Sequence, residues 1–170
     1  MTSFRIEGGT LIDRSDVRRF TFNGEVLSGF GGDTVASSLL ANGKQLVGRS
    51  FKYHRPRGIL TAGAAEPNAL LTIGRDGRRD PNTRATMAEL FDGLEARSQN
   101  CWPNVNFDIG AANGLLGPLL GAGFYYKTFM WPAAFWEKVY EPLIRKAAGL
   151  GRASYDPDPG RPANAKSCTR

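Results

Sequence analysis

The sequence predicts an α+β fold, a mixed β-sheet packed against one helix, and three observations carry this prediction. First, Asn23-Gly24, the dipeptide typical of a type I′ turn, separates strand-like runs at residues 17–22 and 25–30. Second, a helix-like segment with capping residues at both ends follows this hairpin directly. Third, short apolar runs closed by Gly or Asp continue to about residue 100. One helix among several strands is typical of a sheet that is covered on one face.

The helix is predicted from GGDTVASSLLANGKQ, where Asp33 or Thr34 can cap the N-terminus and Gly43 suits the C-terminus. The runs QLVGRSFKY and ALLTIGRD each predict a further strand. After the turn-rich stretch GRRDPNT, the runs RATMAELF and LEARSQN, joined by Asp92-Gly93, predict a second hairpin. This order of elements predicts a β-grasp-like fold.

Composition limits the classes of protein. The chain has 170 residues, 41% of them hydrophobic, with a formal net charge of +6. No apolar run approaches the roughly 20 residues that span a bilayer, and the N-terminus lacks the apolar core of a signal peptide. We therefore expect a cytoplasmic protein with no membrane partner. Two cysteines and one histidine cannot form a closed zinc site without carboxylates.

From Cys101 onward the sequence becomes rich in aromatic residues and glycine, and we predict four segments in the chain. They are an N-terminal arm (1–16), the β-grasp domain (17–100), a helical docking extension (101–153) and a disordered tail (154–170). Pro132 suits the first turn of a helix that runs to about residue 148. The extension has more aromatic residues than a small chain easily buries, so they predict either a satellite core or a docking surface. The candidate docking aromatics are Phe124, Tyr125, Tyr126, Phe129, Trp131, Phe135 and Trp136.

The stretch RGILTAGAAEPNALLTI has the length and glycine placement of a loop that wraps a [2Fe–2S] cluster. The plant-type ligand spacing C-x₄-C-x₂-C falls on Thr61, Glu66 and Ala69, none of which supplies a thiolate. Cys101 lies where a fourth ligand would fall, and one thiolate does not hold two irons. We therefore predict no metal site. The chain also has no P-loop and no complete G-x-G-x-x-G, and we predict no catalytic or cofactor-binding residue.

The segment RSFKYHRPRG interleaves cations with aromatic side chains. Such a pattern can stack nucleic-acid bases and bind phosphates, or it can form a structural or subunit-contact loop. All of these functions remain open at this point. The candidate contact residues are Arg49, Lys52, Tyr53, His54, Arg55 and Arg57.

Three stretches resemble the N-terminal region of the alpha subunits of heterotetrameric sarcosine oxidases. They are FNGEVLSGFGGDTVASSLLANG, GRSFKYHRPRGILTAGAAEPNALLTI and FYYKTFMWPAAFWEKVYEPLIRKAAGLGR, and the resemblance runs from about Val17 to Pro157. It implies a flavoenzyme with alpha, beta, gamma and delta subunits that demethylates sarcosine to glycine. The other products are hydrogen peroxide and formaldehyde or methylenetetrahydrofolate. It also implies that the complete enzyme uses FAD, FMN, NAD and tetrahydrofolate, and that the alpha subunit begins with a ferredoxin-like domain without a cluster.

The chain departs from that family after AAGLGRA, where the family continues into an NAD-carrying domain. It ends soon after Arg152, so we expect a truncated product, an excised domain or an independent short protein that is not catalytic alone. Its expected partners are the beta, gamma and delta subunits and the rest of alpha. Two alternatives remain: a [2Fe–2S] electron-transfer subunit of a related amine or amino-acid dehydrogenase, and a basic nucleic-acid-binding module.

Overall fold

The structure is a computed structural model, and it describes residues 4–8, 10–51, 53–116, 135–142 and 154–157. The described residues form seven strands, one α-helix and several short 3₁₀ or π segments. In chain order the elements are β1 (Asp13–Phe22), β2 (Glu25–Gly31), α1 (Val35–Ala41), β3 (Gly48–Arg49), β4 (Pro56–Arg57), β5 (Leu70–Ile73), β6 (Asp80–Arg84) and β7 (Leu94–Ser98).

The N-terminal hairpin forms as predicted. Strands β1 and β2 pair in antiparallel fashion and close with Phe22 opposite Glu25. The two turn residues between them, Asn23 and Gly24, have φ values of 52° and 85°, as a type I′ turn requires. Strand β1 begins four residues earlier than the predicted run, and an irregularity in its register separates Asp13 from the rest of the ladder.

Helix α1 also forms as predicted, with Thr34 as its N-cap. The Thr34 side chain accepts a hydrogen bond from the Ser37 backbone, and the Ser37 hydroxyl accepts one from the Thr34 N–H. This reciprocal pair is a capping box, which satisfies two N–H groups that the helix leaves free. At the other end, Gly43 has a φ of 72°, the left-handed conformation that ends a helix at little cost.

Five strands form one mixed sheet in the order β2-β1-β7-β5-β6, and β3 pairs with β4 separately. Strand β7 runs parallel to β1 and antiparallel to β5. Phe20 and Phe22 of β1, Leu39 of α1 and Leu71 of β5 share one buried cluster. The predicted β-grasp fold, a mixed sheet packed against one helix, is therefore confirmed.

The second predicted hairpin is wrong. Beyond Arg84 the run RATMAELF forms mainly turns, and the partner of β5 is β6, which lies almost entirely in the stretch interpreted above as an interruption. Strand β6 was missed because its sequence, DPNTR, is polar and contains proline, which a strand tolerates only at a sheet edge. Strand β6 is indeed the last strand of the sheet.

Only part of the extension after Cys101 is described. Residues 109–116 form 3₁₀ turns, and residues 135–142 of the predicted helix are helical, with Trp136–Tyr140 in the π form. Phe135 and Trp136 are both exposed. The other five candidate docking aromatics, Phe124, Tyr125, Tyr126, Phe129 and Trp131, and most of the predicted tail lie outside the described residues. Within the described ranges, no helix is both long enough and apolar enough to span a bilayer.

Candidate functional site

The three positions of the cluster-ligand spacing lie on one loop between β4 and β5, residues 58–69, which we call the frame loop. Hydrogen bonds join this loop to residues 85 and 86, which directly follow β6. The Ala85 N–H donates to the Ala69 carbonyl at 2.9 Å, and the Thr86 hydroxyl donates to the Gly63 carbonyl at 2.7 Å. The frame loop is therefore fixed at Gly63, near its middle, and at Ala69, its last residue.

The Glu66 side chain is fully buried inside the frame loop. One carboxylate oxygen, Oε2, accepts the N–H groups of Leu60 and Thr61 at 2.7 and 2.6 Å. The other oxygen, Oε1, accepts those of Asn68 and Ala69 at 2.7 and 3.2 Å. Each oxygen thus accepts two N–H groups, and the loop closes around one carboxylate.

Two opposing effects act on the ionisation of Glu66. Burial raises the pKa of the carboxyl group, because it removes the charged form from water. The four backbone N–H groups, from Thr61, Asn68, Leu60 and Ala69, outweigh burial and bring the pKa below its ordinary value. Glu66 is therefore a carboxylate at neutral pH, stabilised by backbone dipoles.

The residues of the frame loop do not fit a [2Fe–2S] cluster. Such a cluster needs thiolate or imidazole ligands, whereas the three positions carry a hydroxyl, a carboxylate and a methyl group. The one carboxylate already accepts four N–H groups and has no lone pair left over for a metal. Within the described ranges, no group of three or more His, Cys, Asp or Glu side chains is placed to hold a metal ion.

In the basic loop, residues 49–57, the side chains of Arg49 and His54 make hydrogen bonds within the chain. The Arg49 guanidinium donates to three backbone carbonyls: Val105 at 2.9 Å, His54 at 3.1 Å and Asn106 at 3.2 Å. Arg49 therefore ties residues 105 and 106 to the basic loop.

His54 holds the same segment through an aspartate. Its Nδ1 lies 2.6 Å from Oδ2 of Asp108, whose side chain is buried. The other oxygen, Oδ1, accepts the N–H groups of Trp102 at 2.9 Å and Gly110 at 3.1 Å. We call residues 101–110 the latched segment, because Arg49 and the His54–Asp108 pair fasten it to the basic loop.

The environment of Asp108 favours its charged form, and that of Cys101 does not. Burial raises the pKa of Asp108, but the Trp102 N–H, the His54 ring and the Gly110 N–H together bring it below its ordinary value. For Cys101, burial and the charge of Asp108 raise the pKa of the thiol, and Arg49 opposes them only in part. The partly buried Cys101 is therefore a protonated thiol at neutral pH, which is a poor nucleophile and a poor metal ligand.

The other members of the basic loop lie closer to solvent. The Arg55 guanidinium stacks over the Tyr53 ring at 4.9 Å, and Arg57 is exposed on β4. Lys52 lies outside the described residues. The predicted anion or subunit contact by these six residues stays a prediction.

The latched segment presents apolar side chains to solvent. Trp102, Phe107 and Ile109 are 68%, 67% and 52% exposed. The backbone that carries them is fixed by the Arg49 and Asp108 contacts described above. A rigid backbone with exposed aromatic side chains is typical of a contact surface.

Sequence reasoning named Glu66 only as a vacated ligand position and did not single out Asp108, so it missed the roles of both acidic residues. Glu66 carries a signal that could have been read: it is the one acidic residue between Asp33 and Asp76, in an otherwise apolar loop. A lone acid in such a setting needs several donors if it is buried. Asp108 carries no comparable signal, because its partner His54 lies 54 residues away in the sequence.

The fold and the frame loop define the class to which this chain belongs. Residues 16–101, just over half of the chain, match the family described as "2Fe-2S iron-sulfur cluster binding domain", and the chain belongs to that family. It does so with no thiolate at the three frame-loop positions.

Curated relatives extend the match beyond this domain. The chain is 70% identical over 159 residues, 94% of its length, to sarcosine oxidase subunit alpha of Rhizobium meliloti (strain 1021). It is 46% identical over 91 residues, 52% of its length, to the subunit of the same name in Corynebacterium sp. (strain U-96). The subunit from strain P-1 of that genus is 44% identical over 128 residues, 73% of this chain. The resemblance to the alpha subunits of sarcosine oxidases is thereby confirmed, and it is consistent with their N-terminal region.

The chain is much shorter than these relatives. The matches cover 16%, 9% and 12% of the three subunits, respectively. Among solved structures, L-proline dehydrogenase from P. horikoshii matches 56% of this chain and 18% of its own, with 20% identity and a TM-score of 0.42.

Proposed function

We propose that this chain is a non-catalytic N-terminal portion of a sarcosine oxidase alpha subunit, and that its role is the assembly of the enzyme. The observation that carries the proposal is the 70% identity to such a subunit across 94% of the chain. In this proposal the complete enzyme oxidatively demethylates sarcosine to glycine. Oxygen yields hydrogen peroxide, and the methyl group leaves as formaldehyde or methylenetetrahydrofolate.

The proposed partners are the beta, gamma and delta subunits and the remainder of alpha. The complete enzyme would use FAD, FMN, NAD and tetrahydrofolate, with none of them bound by residues of this chain. Two observations support a contact role. The two carboxylates of the frame loop and of the latched segment, Glu66 and Asp108, accept hydrogen bonds from the chain itself. The latched segment also holds exposed aromatic side chains on a fixed backbone.

The proposal is tested by expressing the full chain as a separate, tagged polypeptide. It would be co-expressed with the remainder of alpha and the other three subunits of the Rhizobium meliloti enzyme. We expect the subunits to co-purify with the tagged chain and to oxidise sarcosine with production of hydrogen peroxide. Sarcosine oxidation without the chain in the complex, or a chain that never co-purifies, would contradict the assembly role.

The docking surface is tested by two paired substitutions. Replacing Trp102 and Phe107 by Ser removes exposed apolar area from the latched segment. If these side chains are buried by a partner, association should weaken about 30-fold or more, as for aromatic residues at the centre of an interface. The matched control replaces Val17 and Val26 by Ser, because these side chains are 58% and 67% exposed on the β1–β2 hairpin. Equal weakening by both pairs would show that the latched segment has no special role.

The two alternatives make different predictions for the same preparation. An electron-transfer subunit would contain iron and absorb visible light after reconstitution with iron and sulfide. A nucleic-acid-binding module would be retained on DNA or RNA at low salt and released steeply as salt rises. Either result in place of co-purification would replace the assembly proposal.

A further inference from the structure

Glu66 is a buried ionised side chain to which the proposed assembly role assigns no task. Its four hydrogen-bond donors are all backbone N–H groups, and they come from both ends of the frame loop. A buried carboxylate without such donors would be strongly destabilising, because the charge loses its hydration. The loop conformation and the carboxylate therefore depend on each other.

The three positions of the ligand spacing converge on this one carboxylate. The first and third positions, Thr61 and Ala69, donate their N–H groups, one to each oxygen. The second position, Glu66, supplies the carboxylate itself. Leu60 and Asn68, each one residue before a ligand position, donate the other two N–H groups.

Converging N–H groups form a concave site for anions, and such sites hold phosphates and iron–sulfur clusters in other proteins. The frame loop has four such converging N–H groups, and its own Glu66 side chain occupies the site that they form. We propose that the frame loop is an anion receptor for a small carboxylate and that Glu66 is its built-in anion, in place of an iron–sulfur cluster. This inference holds whichever partner the domain has.

The proposal predicts that a free carboxylate can replace the side chain. Glu66→Gly removes the carboxylate and leaves the four N–H groups facing an empty space that formate can fill. We expect sodium formate to raise the melting temperature of Glu66→Gly by about 5 °C more than sodium chloride at equal ionic strength, with saturation as formate rises. Acetate, which is larger by a methyl group, should act more weakly.

Three controls separate this effect from a general salt effect. Wild type, in which the carboxylate is already present, should show no difference between formate and chloride. Glu66→Gln, which fills the space with a neutral amide, should show none either. Glu89→Gln, a change at a largely exposed glutamate, should behave as wild type does. Equal melting temperatures of Glu66→Gly in formate and in chloride would overturn the proposal.

A second measurement applies if Glu66→Gly does not fold in either salt. The amide proton resonances of Leu60, Thr61, Asn68 and Ala69 report directly on the strength of the hydrogen bonds that they donate. In Glu66→Gln one oxygen is replaced by an NH₂ group, so the resonances of one donor pair should move upfield relative to wild type. Unchanged resonances of all four amides would overturn the proposal.

Discussion

Removal of the Asp108 side chain should release the latched segment from the basic loop. Asp108 accepts three hydrogen bonds: from the N–H groups of Trp102 and Gly110 and from the His54 ring. Asp108→Ala removes all three acceptor contacts at once. The β-grasp sheet, in contrast, contains none of these four residues and should remain folded.

The size of the effect follows from the kind of bonds that are lost. A hydrogen bond to a charged group contributes about 1.5–3 kcal/mol, and a neutral one about 1 kcal/mol. Water can reach the Trp102 and Gly110 N–H groups once the segment opens, which reduces the loss. We therefore expect the free energy of opening of the segment to fall by about 3 kcal/mol, which is a factor of about 150 in the opening equilibrium.

Hydrogen exchange at the Ile109 amide measures this opening. The Ile109 N–H donates to the Trp102 carbonyl at 2.8 Å, whereas the N–H groups that donate to the Asp108 carboxylate are those of Trp102 and Gly110. Its exchange should accelerate about 150-fold in Asp108→Ala and by less in Asp108→Asn, which keeps one acceptor oxygen. Asp80→Ala, at an exposed aspartate of β6, is the matched control and should leave the rate nearly unchanged. If both alanine variants exchange at the same rate, Asp108 does not hold the segment.

Three further predictions concern the same buried groups. Because the pKa of Glu66 is lower in the folded chain than in the unfolded chain, the unfolded chain binds more protons in acid, and the free energy of unfolding should fall as pH drops below about 5. This fall should be shallower in Glu66→Gln, which has no carboxylate at this position. Urea denaturation at several pH values measures both slopes, and equal slopes would contradict the prediction. A Cβ at Gly110 would overlap the His54 ring, so Gly110→Ala should accelerate hydrogen exchange at the Ile109 amide. Gly114→Ala is the control, because its Cβ would meet no atom within 4 Å, and it should leave the exchange rate unchanged. Equal exchange rates in the two variants would refute this packing argument. Arg5→Met removes the guanidinium that pairs with the buried carboxylate of Asp33, and it should lower the free energy of unfolding by about 3 kcal/mol. A urea denaturation midpoint equal to that of wild type would contradict this prediction.

The parts of the fold that the sequence predicts are those that depend on neighbouring residues. The Asn23-Gly24 turn and the Thr34 cap are set by residues within four positions of each other, so local chemistry suffices to place them. The error at the second hairpin has the opposite origin. Strand β7 pairs with β1, which lies about 70 residues earlier, and no local pattern reports that partner.

The candidate site divides in the same way. The empty ligand positions Thr61 and Ala69 follow from the spacing alone, because a missing cysteine is visible in the sequence. The role of Glu66 depends on four N–H groups whose directions are fixed only when the loop is folded. Arg49 and His54 were predicted as candidates for external contacts, and the structure adds internal contacts that depend on a segment more than 50 residues away.

The closure of the frame loop around an ionised Glu66 is the central claim, and one measurement tests it most directly. The ¹³C resonance of the Glu66 side-chain carboxyl, followed by NMR as the pH is lowered, reports the protonation of this group. We expect the resonance to remain that of a carboxylate at pH values below the ordinary glutamate pKa of about 4.3, because the four backbone N–H groups lower the pKa of Glu66. A resonance that titrates at or above that value would show that the loop does not bind the carboxylate, and the anion-receptor proposal would fail.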